Sequence, residues 1–70
     1  MQHQIGQVMK ELRLKSNFKQ KDLASKLGVT ASLLSMIEKG KREPNLKFIE
    51  KFCGLVKISM SELFNMLEKK

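Results

Sequence analysis

Cations dominate the side chains that could do chemistry in this sequence. Lys39, Lys41 and Arg42 stand almost side by side, and Lys19, Lys21 and Lys47 contribute to 14 Lys+Arg against 7 Asp+Glu, a formal charge of +7 over 70 residues. With an isoelectric point of about 9.9, the chain favours a polyanionic partner, and nucleic acid and an anionic membrane both fit. A plain solvated lysine-rich exterior is the bland alternative. The basic residues are spread over several elements instead of lining one amphipathic face, which counts against a membrane surface.

Catalysis and metal binding have no comparable support. The one histidine, His3, lies near the terminus without partner ligands, no Gly-rich phosphate loop is present, and no candidate nucleophile has a base beside it. The reading is therefore a non-enzymatic binding protein that needs no cofactor and no metal. Cys53 is the only cysteine, so an internal disulfide and a multi-thiolate zinc site are both excluded; its place on an apolar stripe makes it a core residue, and a reducing cytosol is the default compartment. No apolar run approaches the roughly 18 to 20 residues of a membrane span, and the start Met1-Gln2-His3-Gln4 has no signal-peptide apolar region. The chain reads as soluble and untargeted.

The elements that must position these cations are helices. At this length one core is expected, burying roughly 60% of the surface exposed on unfolding, so residues 1–70 are read as a single domain. Ile5, Val8, Met9 and Leu12 recur at helical spacing and predict a first helix from about Gln4 to Lys15, stopped at Ser16-Asn17, with Phe18 plugging the core from the loop. Leu23, Ala24 and Leu27 predict a second helix from about Gln20 to Leu27, ended by Gly28. Thr30 suits the cap of a third, Ala31 to about Lys39, stopped by Gly40. After the charged loop Lys41-Arg42-Glu43-Pro44, Asn45 caps a fourth helix packed through Leu46, Ile49, Phe52, Cys53 and Val56. Ser59 and Glu62 have capping-box spacing before a fifth stripe of Met60, Leu63, Phe64 and Leu67. Phe64, Met66 and Leu67 either close the core or leave a patch for self-association. No strand period survives.

Residues from Gln20 to about Lys39 have the length and punctuation of a helix-turn-helix, with small Ala24 at the crossing and Leu23, Leu27, Val29, Leu34 and Ile37 holding it. Together with Leu12-Arg13, Phe18-Lys19-Gln20-Lys21-Asp22-Leu23-Ala24, Leu27-Gly28-Val29-Thr30, Ile37-Glu38-Lys39-Gly40-Lys41-Arg42 with Pro44, and Ser59-Met60-Ser61-Glu62-Leu63-Phe64, this resembles the phage-repressor family (Cro and lambda-repressor-like, or XRE) over Ile5 to Phe64.

The resemblance implies an all-α, compact five-helix DNA-binding domain acting as a sequence-specific transcriptional regulator, a repressor, that inserts its third helix into the major groove. Double-stranded DNA with a palindromic operator, a homodimer, and a cytoplasmic, nucleoid-associated location follow from it. A helical wheel agrees: Leu34 and Ile37 point inward, Ser32, Ser35, Met36 and Lys39 point outward, and Ala31 and Leu33 flank them. By family analogy, Gln20 reaches the DNA backbone or an adjacent base, Lys39, Lys41 and Arg42 clamp phosphate, and Arg13 pairs with Glu38 to fix the reading head. Lys21 and the helix start at Thr30 complete the DNA-facing set.

The departures are equally informative. Ala31, Leu33 and Met36 cannot make bidentate hydrogen bonds, so thymine methyl contacts and permissive serine hydrogen bonds predict a preference for A·T-rich or deformable sites. Lys19 replaces the usual capping residue and Lys57 the usual glycine after the fourth helix, each at a cost in stability. The competing function is an interaction adaptor or antitoxin component with weak DNA readout, in which Met36 and Leu33 seat in a protein partner's groove.

Overall fold

The computed structural model describes residues 4–68, which form five helices and no strand: α1 (Gln4–Lys15), α2 (Gln20–Leu27), α3 (Ala31–Glu38), α4 (Leu46–Val56) and α5 (Met60–Glu68). The sequence-predicted His3 lies outside the described residues. Val8, Met9, Leu23, Leu34, Phe52 and Leu63 are fully enclosed, so all five helices feed one core. Phe18 and Val29 pack against it from the connecting loops. Cys53 is buried there, and burial pushes its thiol pKa up from the ordinary value, which keeps it neutral and unreactive.

Each connection is set by a helix stop in the left-handed region. Asn17, Gly28, Gly40 and Lys57 all have positive φ, between 62° and 82°. Gly28 pays no side-chain penalty for that conformation and Asn17 little, whereas Lys57 does pay one. Lys57→Gly should therefore raise stability by about 1 kcal/mol, read as a higher urea midpoint with an unchanged slope. The start of α2 shows the other weak cap: Lys19 is extended and its side chain makes no capping hydrogen bond. Asn45 Oδ1 accepts from the Phe48 amide at 2.8 Å, and Ser59 Oγ accepts from the Glu62 amide at 3.0 Å.

Helix α3 ends at Glu38, with Lys39 as its cap residue, within a residue of the expected bound. One expectation needs correction. Leu46 is 60% exposed: it begins α4, and there the apolar stripe overhangs the core that Ile49, Phe52, Cys53 and Val56 fill. Of the two alternatives for Phe64, closing the core or leaving an apolar patch, the structure favours the open one: the residue is 41% exposed, because Leu63 takes the inward position of α5 and the next residue is turned about 100° away. Phe64 lies instead in an open groove with Ser61, Glu62, Asn65 and Glu68.

Candidate nucleic-acid interface

The turn and α3 are built from a short list of local interactions. Gly28 closes α2 with two backbone bonds, its own amide to the Ser25 carbonyl at 3.1 Å and the Val29 amide to Ala24 at 3.0 Å. This is the geometry of a Schellman cap. Two residues after Gly28, Thr30 Oγ1 accepts from the Leu33 amide at 3.1 Å and starts α3. Leu34 and Ile37 are buried against α1 and α2, so the opposite side of α3 faces outward. Ser32 and Met36 are exposed there, and Ala31 and Ser35 are half-buried. Leu33 is half-buried and packs on the core.

The far end of α3 joins the helix rigidly to the cationic loop. Gly40 adopts φ +82°, its amide donates to the Ile37 carbonyl at 3.1 Å, and the Lys41 amide donates to the Met36 carbonyl at 2.8 Å. The Arg42 amide reaches the same Met36 oxygen at 3.3 Å. Lys39, Lys41 and Arg42 are all exposed. Three free cations are thereby held by backbone geometry at one end of the exposed face, an arrangement suited to phosphate oxygens flanking whatever the helix enters. Lys21 is exposed on the first turn of α2.

The body grips α3 through a buried ion pair. Arg13 Nε donates to Glu38 Oε2 at 2.7 Å and its Nη2 to Oε1 at 3.3 Å, with the two side chains 8% and 2% exposed. The remaining guanidinium nitrogen, Nη1, donates to the Phe18 carbonyl at 2.9 Å. Gln20, at the first position of α2, turns its Nε2 onto Glu38 Oε1 at 3.0 Å. Three helices therefore meet at one carboxylate, and among the described residues no buried side-chain polar atom lacks a partner.

Sequence reasoning missed two things here. One is the Gln20 to Glu38 contact, since residues eighteen apart carry no local spacing signal. The other is Gly6, where a Cβ would collide with the Ile37 carbonyl oxygen, so the glycine lets α1 lie directly against the end of α3. An isolated glycine inside an otherwise regular helical pattern was the available clue.

The comparison with known proteins meets this geometry at the same residues. The helix-turn-helix family profile matches residues 9–63. The chain belongs to the phage-repressor (XRE) type of that family of DNA-binding transcriptional regulators. It is 38% identical over 56 residues to the uncharacterized HTH-type transcriptional regulator MJ0272 of Methanocaldococcus jannaschii, covering 80% of this chain and 85% of that one. It is 36% identical over 62 residues to the HTH-type transcriptional regulator SinR of Bacillus licheniformis, covering 87% of this chain and 56% of SinR. It is 35% identical over 66 residues to the control protein C.MunI of Mycoplasma sp, covering 93% and 89%. Of a further regulator, from Archaeoglobus fulgidus, the chain spans only 28%. Among the described residues, no helix is long and apolar enough to cross a membrane and no cluster of potential metal ligands occurs.

Proposed function

We propose that this helix-turn-helix domain represses transcription by occupying operator DNA, with α3 in the major groove, and that it does so on the chromosome in the cytoplasm. The observation that carries this reading is the continuity of the exposed α3 face with Lys39, Lys41 and Arg42, all held to α3 by its own C-terminal cap. Ser32, Ser35 and Met36 meet base edges, Ala31 lies beside them, and Thr30 and Lys21 stand at the backbone on the N-terminal side. A homodimer would present two such helices about 34 Å apart, one turn of duplex, and would select a short inverted repeat.

The side chains on α3 give a modest code. Serine hydroxyls accept or donate without strong preference, and the Met36 thioether matches a thymine methyl, so A·T-rich operators follow. Most of the affinity then comes from phosphate contacts and falls with salt. Log affinity against log salt should have a slope of about −0.9 per phosphate neutralised. In a Lys41→Ala/Arg42→Ala variant that slope should become shallower by about 1.8, the sum for two phosphates, in a fluorescence-anisotropy titration against oligonucleotides selected from a random duplex pool. An unchanged slope would remove the loop from the interface and overturn the proposal.

A further inference from the structure

Glu38 does more than anchor α3 to the body. Its carboxylate is 2% exposed and held on both oxygens by Arg13, at 2.7 Å and 3.3 Å, so it cannot swing to suit a neighbour. It is also acceptor-only when ionised. Gln20 sits at the junction of this buried group with the outer surface, half-buried at the start of α2, and meets Oε1 of Glu38 at 3.0 Å. Only the amide nitrogen can face that oxygen, because turning Oε1 of Gln20 toward it would set two acceptors face to face in a poorly solvated place.

The same repulsion chooses between the two amide hydrogens. The one lying anti to Oε1 points at Glu38 with the amide oxygen turned away, whereas use of the other would bring that oxygen back beside the carboxylate. The edge left free carries one N–H and Oε1 side by side. A donor next to an acceptor is the pattern complementary to N7 and N6 of adenine in the major groove, and the bidentate pair is the form of amide readout that discriminates. A phosphate, which offers only acceptors, would use half of it.

We infer that Glu38 is a positioning residue for Gln20: held by Arg13, it fixes the polarity of the Gln20 amide so that Gln20 presents a donor–acceptor edge that reads an adenine. The inference rests on the operator-binding reading above. It restores a directional contact to an interface whose α3 side chains supply little, and it runs from α1 through α3 to α2, so the core sets the specificity of a surface residue.

The free protein tests the positioning. In a ¹⁵N–¹H spectrum the Gln20 side-chain amide should give two well-separated proton signals, the one bonded to Glu38 shifted downfield of those of exposed glutamines; a pair coinciding with exposed glutamines overturns the inference without any DNA. Selection from a random duplex pool tests the readout. The wild-type consensus should contain an adenine in each half-site whose preference falls about 5- to 100-fold in Gln20→Ala, a variant that leaves the Arg13–Glu38 pair in place. Replacing that adenine by 7-deazaadenine should weaken wild-type binding and leave Gln20→Ala unaffected. Glu38→Gln, checked for folding by circular dichroism, should relax the same position and have no further effect on preference in the Gln20→Ala background. Uniform weakening of all sequences by Gln20→Ala would make it a phosphate contact and overturn the inference alone. A pool that yields no preferred sequence would overturn operator recognition as well, while the spectrum would still report the amide.

Discussion

Glu38→Ala should destabilise the fold by about 3–5 kcal/mol, the range for removing one partner of a buried ion pair. For 70 residues the whole stability is roughly 4–10 kcal/mol at the usual 0.05–0.15 kcal/mol per residue, so the variant should lose roughly half of it, read as a much lower urea midpoint. The cause lies in what is left behind. Arg13 keeps its bond to the Phe18 carbonyl but loses both bonds to the carboxylate, and its charge stays in a site only 8% exposed. Gln20 loses its partner as well. A double variant, Arg13→Met/Glu38→Leu, removes both charges and fills the space, and should recover most of the loss, because well-packed apolar replacements of buried pairs are often neutral or stabilising. Urea denaturation of Arg13→Met, Glu38→Leu and the double gives the cycle; a double as unstable as the sum of those singles would mean that the pair is not an isolated electrostatic unit.

Much of the fold could be read from the sequence because its punctuation is local. Asn17, Gly28 and Gly40 mark helix ends that need positive φ, and Thr30, Asn45 and Ser59 mark starts that need a side-chain acceptor, so each boundary is set by a residue within a turn of it. Lys57 was legible only against the family pattern, where it stands in place of the usual glycine, and it does adopt the left-handed conformation after α4. What the sequence left undecided or wrong is of a different kind. Leu46, expected in the core, and Phe64, left open between core and patch, have the right residue type for the core, but whether a stripe end or its neighbour is covered depends on where the partner helices stop. A helical wheel does not contain that.

The interface divides along the same line. Which side chains of α3 face outward follows from periodicity, and the exposed Ser32 and Met36 opposite the buried Leu34 and Ile37 match the wheel. The pairing of Arg13 with Glu38 was available only through family resemblance, because residues twenty-five apart on different helices carry no spacing signal. Gln20 shows the limit most clearly: its type suggested a contact with DNA, but the direction in which its amide points is decided by a carboxylate on another helix.

The close approach of α1 to α3 gives the other large effect, best measured as a matched pair. Gly6 and Gly54 both lie inside helices, and in both places alanine should gain about 0.5–1 kcal/mol from lost chain entropy in the unfolded state. At Gly54 nothing lies within 4 Å of an added Cβ, so Gly54→Ala should stabilise the protein by about that amount. At Gly6 the added carbon would overlap the Ile37 carbonyl and press toward the Glu38 backbone, whose carbonyl carbon would lie 3.3 Å away. Backbone cannot rotate aside as a side chain can, so α1 must retreat, and overpacking of this kind costs roughly 1–3 kcal/mol. Gly6→Ala should thus be destabilising despite its better helix propensity, and the two variants should move the urea midpoint in opposite directions. The retreat also acts on the end of α3 that carries Glu38 and the Lys39–Arg42 loop. At a temperature where Gly6→Ala is still fully folded, its DNA affinity should therefore drop, while that of Gly54→Ala stays at the wild-type value; equal affinities would show that the position of α1 leaves the reading head undisturbed.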